Sequence, residues 1–293
     1  METLLHIQGS ETSPFTPLFL IHAVSGLALP YLGLGSLTKD DVGGNEGRAV
    51  YGVSSPIYAS GDYRLPSSLE DAARQYISLI QREVQPEGPY LLGGWSLGGM
   101  IALKMASILE ERGETVLHVI MIDSANPENY PAFINRAEHE KITTLTYNKV
   151  VSKMNAPSLV EGDDSSSSSE SPDDDNDEDD FSLATMLPRI RKHIYNGVNM
   201  VGTVARNHFL PQRCHAPTTL VKCSSLSRPV ATLRDVRKEF VQKSFRDERM
   251  GWQSAKFKHF RTVQFKAQHD SAFDKAHVGE LTGILRGVLA MIA

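Results

Sequence analysis

Short, nearly unbroken apolar runs alternate along this chain with longer segments in which apolar residues recur every three or four positions. The runs Leu4–Ile7, Pro17–His22, Arg48–Val53, Pro89–Leu92, Val116–Ile122, Thr218–Cys223 and Arg261–Ala267 have strand length and predict strands, the second of them a buried one. Between them, Ser67-Ser68-Leu69-Glu70 has capping-box spacing and opens a helix with Leu69, Ala73, Tyr76, Ile80 and Val84 on one face. Pro86-Glu87-Gly88-Pro89 stops that helix. The segment from Leu97 to Leu109 is apolar nearly all round, predicting a buried central helix that Arg112-Gly113 ends. Shorter signals predict a helical turn around Leu29–Leu34, a glycine- and charge-rich turn at Asp40–Gly47, a charged helix from Asp235 and a terminal helix over about 276–291. This order of elements predicts an α/β fold, a mostly parallel central sheet with helices on both faces.

The alternation is interrupted once. Residues 125–216 are far more than a crossover between neighbouring strands needs. They contain two apolar helical patterns, one around Phe133–Met154 and one at Leu183, Leu187, Ile190, Ile194, Val198 and Val201, with Pro188 marking a start or kink. The expected organisation is a core from 1–124 and 217–293 with a helical lid inserted at 125–216. Within the lid, 161–180 is a serine- and aspartate-rich run too polar to order itself. That run holds eleven acidic side chains and no basic one, so the formal net charge of −5 conceals a remainder of 30 basic and 24 acidic residues. A mildly basic body suits an acidic partner or simply a solvated surface. Cys214 and Cys223 are the only cysteines, which indicates neither a disulfide framework nor a metal site. No apolar run approaches the roughly 18 residues of a membrane span, and the N-terminus lacks a signal-peptide pattern, so a soluble cytoplasmic protein is expected.

The chemistry concentrates at Gly93-Gly94-Trp95-Ser96-Leu97-Gly98-Gly99, between a predicted strand and the central helix. Strand, GxSxG turn and helix form the pattern of a nucleophile elbow, so Ser96 is the candidate nucleophile. The N–H of Leu97, at the helix start, is then one oxyanion-hole donor. The loop after the strand ending at His22 supplies the second; Val24 is assigned this role, with Ala23 the neighbouring alternative, and His22 itself reads as a hydrogen-bonded strand end. About 16 helical residues run back roughly 24 Å and about 7 strand residues return roughly 23 Å, which carries Asp123 to the same sheet edge as Ser96. Asp123 is the candidate acid, because the next strand ends in Cys223-Ser224-Ser225-Leu226 without a carboxylate. His269, directly after the last strand, is the candidate base. His277 falls inside the terminal helix and His259 lies before the strand, at the opposite edge. Serine, acid and base are the three groups nucleophilic acyl transfer requires.

GGWSLGG, VIMIDSANP, QHDSAF, the 27-residue step from Ser96 to Asp123, LFLIHAVSG and the Gly251-Trp252 pair together resemble the thioesterase domains of polyketide and non-ribosomal peptide synthases. The resemblance spans the chain apart from 161–180. It implies an α/β-hydrolase fold and a serine thioesterase that takes an acyl chain from the phosphopantetheine of an acyl or peptidyl carrier domain onto Ser96, without a cofactor or metal of its own and without nucleic acid as partner. No carrier domain precedes residue 1, so a free-standing, fungal-type member is expected, releasing or editing a secondary-metabolite chain. A carboxylesterase for free small esters, a cyclising release enzyme and a catalytically silent interaction protein are the other readings weighed. Trp95 is a candidate wall of the acyl pocket.

Overall fold

The computed structural model describes residues 2–38, 47–154, 183–206, 208–226 and 232–292. The turn expected at 40–46 and the acidic run at 161–180 lie outside them.

Among the described residues seven strands form one sheet: β1 (Leu4–Gln8), β2 (Leu18–Ile21), β3 (Val50–Val53), β4 (Tyr90–Trp95), β5 (Val116–Ile122), β6 (Thr218–Ser225) and β7 (Phe260–Gln268). Their spatial order is β1-β3-β2-β4-β5-β6-β7. Only β1 runs antiparallel to its neighbour; every other pairing is parallel. Alternate residues of the inner strands feed different cores, which is why those strands read as runs, whereas edge strand β7 alternates buried Phe265 and Ala267 with exposed Lys266 and Gln268. Phe19, Ile21, Leu92, Val119 and Met121 face one side, against α1 (Leu69–Glu83) and α2 (Leu97–Glu111). Leu18, Leu20, Leu91, Ile120 and Ile122 face the other, against Tyr31 and the terminal helix α6 (Val278–Leu289).

Helix α1 starts one residue later than the capping-box spacing indicates. Ser68 is its N-cap and accepts from the Asp71 N–H at 3.0 Å, while the Ser67 N–H donates to Asp71 Oδ2 at 2.8 Å. Asp71, not Glu70, occupies the third helical position because Leu69 enters the first turn facing the core, where it is buried, and the Asp71 carboxylate reaches back to the residue before the cap. Glu70 instead pairs with Arg74 one turn on.

Two helices are described within the insertion, α3 (Arg136–Met154) and α4 (Leu183–Gly202), with Pro188 inside the latter. Ile190, Ile194 and Val198 of α4 bury against Leu27, Ile57 and Tyr58 of the core, a third apolar cluster apart from the two sheet faces. Helix α5 (Asp235–Arg246) joins β6 to β7. Its Arg237, with Arg234 just ahead of it, clamps Glu138 of α3; two guanidinium groups hold that carboxylate at a pKa of about 2 despite the burial that opposes ionisation. No helix of the described residues is long and apolar enough to cross a membrane.

Candidate active site

Strand β4 ends in a turn that only a narrow set of residues could form. Ser96 sits at φ 57°, ψ −117°, a strained conformation for a residue with a side chain. Its N–H is held by Ile122 O of the neighbouring strand at 2.8 Å. A Cβ on Gly94 would lie 2.4 Å from the Gly98 carbonyl carbon, and one on Gly98 would lie 2.0 Å from Ile21 O. The glycines on either side of Ser96 therefore let β4, α2 and β2 approach at backbone distance. Ser96 makes no side-chain capping bond to α2, and among the described residues its hydroxyl has no hydrogen-bond partner.

Asp123 follows β5 at φ 47° with its carboxylate buried. Since Trp95 and Ile122 are register partners in adjacent parallel strands, Ser96 and Asp123 leave the same edge side by side. Oδ1 of Asp123 accepts from the Cys223 N–H at 2.9 Å, and Oδ2 accepts from His269 Nδ1 at 2.7 Å. The carboxylate is thereby fixed from two directions. His269 opens the 3₁₀ turn after β7, and its side chain is 38 % exposed. Burial of the ring pushes its pKa down, but the hydrogen bond and charge of Asp123, with Asp270 adding, outweigh this and leave it above 6.5; Lys149 pulls the other way.

The Gly251-Trp252 pair supports the acid. Gly251 is at φ +87°, and Trp252 Nε1 donates to Ser124 O at 2.8 Å. The Asn126 N–H bonds to Met250 O at 3.0 Å, so the loop after Asp123 is tied down on both sides.

In the loop after β2, the carbonyl of Ala23 accepts from His22 Nδ1 at 2.7 Å and from the Gly26 N–H at 3.0 Å. His22 Nε2 in turn accepts from the buried Tyr76 hydroxyl. Burial, with His193 nearby, lowers the His22 pKa to about 3, so the imidazole is neutral and its Nδ1 carries the proton. The Ala23 carbonyl and the Val24 N–H point opposite ways across one trans peptide. With the carbonyl held from behind, the N–H is turned away from it and has no acceptor among the described residues. Leu97 is the first residue of α2, so its N–H has no partner within the helix.

Two features were not read from sequence. Tyr31, fully buried in the turn Leu29–Gly33, donates from its hydroxyl to Ile21 O at 2.6 Å and accepts from the Trp95 N–H at 2.8 Å. It bridges β2 and β4 where their ladder ends, directly before Ser96. From α3, Lys149 pairs with Asp270, and Lys153 pairs with Asp274 at 2.6 Å, tying the insertion to the loop that carries His269. Trp95, expected as a wall of the acyl pocket, is half-buried at this edge. It packs with the α6-side core, its ring 5.1 Å from Phe273 and 5.6 Å from His269. The side chain of a strand residue next to the elbow points away from the face that Leu97 covers, so Trp95 underlies the His269 loop.

Sheet order, elbow and the placement of Ser96, Asp123 and His269 put the chain in the α/β-hydrolase class. A family model for the thioesterase domain matches residues 16–172. Thioesterase pytI of Aspergillus terreus is 41 % identical over 309 residues, covering 99 % of both chains. The non-reducing polyketide synthase PKS16 of Cladonia grayi is 39 % identical over 125 residues, 43 % of this chain and 6 % of its own length. The crystal structure of the NocB thioesterase domain in covalent complex with a fluorophosphonate nocardicin G analogue shares the fold, with TM-score 0.62, 22 % identity and coverage of 94 % and 96 %. The chain belongs to the thioesterase family and is a hydrolase.

Proposed function

We propose that the protein is a serine thioesterase that takes an acyl, polyketide or peptidyl chain from a phosphopantetheine carrier through an acyl-Ser96 intermediate, in the biosynthesis of a secondary metabolite. The observation that carries this reading is the hydrogen bond from His269 to a doubly held Asp123, beside a serine at a positive-φ strand end. Family membership and the likeness to part of a polyketide synthase support the substrate class.

In this reading Ser96 Oγ attacks the thioester carbonyl and its proton passes to His269 Nε2. Asp123 holds the opposite ring nitrogen protonated, which leaves Nε2 free to accept. The N–H groups of Leu97 and Val24 face the oxyanion of the tetrahedral intermediate. Collapse expels the pantetheine thiolate, which takes the proton back from His269. Water then attacks the acyl-Ser96 ester, with His269 again the base, and the acid is released.

Helices α3 and α4 of the insertion are assigned the part of a lid over this edge, since α3 is tied to the His269 loop and α4 packs on the loop after β2. The test compares rates on an acyl-pantetheine thioester, the same acyl group on a carrier protein, and a matched oxygen ester. Faster turnover of the carrier-bound thioester supports the reading. Preference for the free oxygen ester would make the protein a carboxylesterase instead, and a cyclic product would make release intramolecular.

A further inference from the structure

The inserted helix α4 reaches further into the core than a cover over the substrate needs to. His193, fully buried, donates from Nδ1 to the Val24 carbonyl at 3.0 Å. Its ring stands edge-on to His22, centroids 4.9 Å apart. Because a carbonyl can only accept, the proton is on Nδ1; burial lowers the His193 pKa to about 4, so the ring is neutral and the bond persists across ordinary working pH.

One helical turn on, on the same face, Gly197 comes so close to the core that a Cβ there would lie 3.0 Å from Leu97 Cδ2 and 3.3 Å from Val24 Cγ2. A Cβ on Gly26, at φ +82°, would lie 2.8 Å from His193 Cγ. Two glycines from different segments therefore admit α4 to this depth. A single face of α4 thus touches both residues assigned as oxyanion donors, which come from separate parts of the chain.

The consequence for Val24 is geometric. Its two backbone dihedrals are set by the peptide planes on either side of its Cα. The plane before it is held through the Ala23 carbonyl by His22 and the Gly26 N–H. The plane after it is held through the Val24 carbonyl by His193. The next carbonyl, of Ser25, is held by the Tyr58 hydroxyl. Three successive carbonyls each have a buried side-chain donor, and the middle donor alone comes from the insertion. Without His193 the part-buried Val24 carbonyl loses its side-chain donor and the plane after Val24 is free to rotate; that rotation moves Ser25 and Gly26, strains the Gly26 N–H bond to the Ala23 carbonyl, and through that carbonyl's plane loosens the aim of the Val24 N–H.

We propose that His193 is a positioning residue of the acyl-transfer site, holding the Val24 peptide from the inserted helix so that the insertion frames the oxyanion hole as well as covering it. The inference rests on the reading of Ser96, Leu97 and Val24 given above. It assigns to the insertion a part in the rate of the chemical step, beyond any part in substrate choice.

The test uses the full chain and an acyl-pantetheine thioester, with wild type and Ser96→Ala as references. Hydrolysis by wild type that is lost in Ser96→Ala upholds the underlying reading independently of His193. His193→Asn keeps an amide donor near the Nδ1 position, whereas His193→Gln places it near Nε2, and His193→Leu removes it. Loss of one aimed oxyanion donor costs roughly 10²–10³ in kcat. Mis-aiming it in the Leu and Gln variants is expected to lower kcat about 10- to 100-fold, with KM within about threefold of wild type, and Asn is expected to restore most of the loss. Thermal melts separate this from a folding defect, and the Asn–Gln comparison stands even where the Leu variant does not fold. The proposal is overturned if folded Leu or Gln variants keep kcat within twofold of wild type, or if Asn and Gln lose activity equally.

Discussion

Replacing Asp123 by asparagine changes one heavy atom of the site and little of its shape, and the surrounding hydrogen bonds dictate how the amide must sit. Oδ1 of Asp123 accepts from the Cys223 N–H at 2.9 Å and Oδ2 accepts from His269 Nδ1 at 2.7 Å. An asparagine must present its oxygen to the Cys223 N–H, since the flipped amide would set donor against donor. Its NH₂ then faces His269 Nδ1, which has to become the acceptor and leaves the ring proton on Nε2, the atom that should receive the proton of Ser96. The variant also removes the charge that holds the His269 pKa up. In serine hydrolases built this way, the wrong tautomer costs about 10⁴ in kcat. At 1.36 kcal/mol per tenfold, that is about 5.4 kcal/mol of transition-state stabilisation. Steady-state hydrolysis of an acyl-pantetheine thioester at pH 7–8 measures it, with a thermal melt to show that the fold is kept. A folded Asp123→Asn variant retaining more than a tenth of wild-type kcat would refute the assignment of Asp123 as the orienting acid.

Two further outcomes follow from the same geometry. The base acts when neutral, so kcat/KM should rise with pH through a midpoint above 6.5; Lys149→Met should move that midpoint up and Asp270→Asn should move it down, because the two side chains act on His269 with opposite sign. Shifts in the same direction would contradict it. Tyr31→Phe leaves the Trp95 N–H and the Ile21 carbonyl without their shared partner, at a cost of about 2–4 kcal/mol, read as a fall in Tm of roughly 3–7 °C. A fall of less than about 1 °C would show that the hydroxyl is not the staple between β2 and β4.

The sheet and its edge were legible because both rest on local signals. Apolar runs marked strands, and GxSxG between a strand and a helix marked the turn where Ser96 is now found at positive φ. Chain length between elements was enough to bring Asp123 beside Ser96, and the register of β4 and β5 confirms the adjacency. Tyr31 was not legible. Its segment reads as an apolar turn, and what its hydroxyl does depends on two strand ends that meet only in three dimensions. The same is true of His193, one polar position on an amphipathic helix, whose partner lies 169 residues away. The packing of Trp95 was not legible either, because proximity to Ser96 in sequence says nothing of which sheet face a strand residue occupies. The pairing of Lys149 and Lys153 with Asp270 and Asp274 had no sequence signal, as charged residues on a helix most often face solvent.

Acyl transfer at this site turns on one covalent bond, the ester at Ser96. Incubating the full chain with a slowly turned-over acyl-pantetheine thioester, quenching, and mapping the mass increase by peptide mass spectrometry measures it directly. The expected result is one acyl group on Ser96, absent from Ser96→Ala and accumulating in a variant whose deacylation is slowed. Thioester hydrolysis undiminished in Ser96→Ala, or an acyl group mapped to another residue, would contradict it.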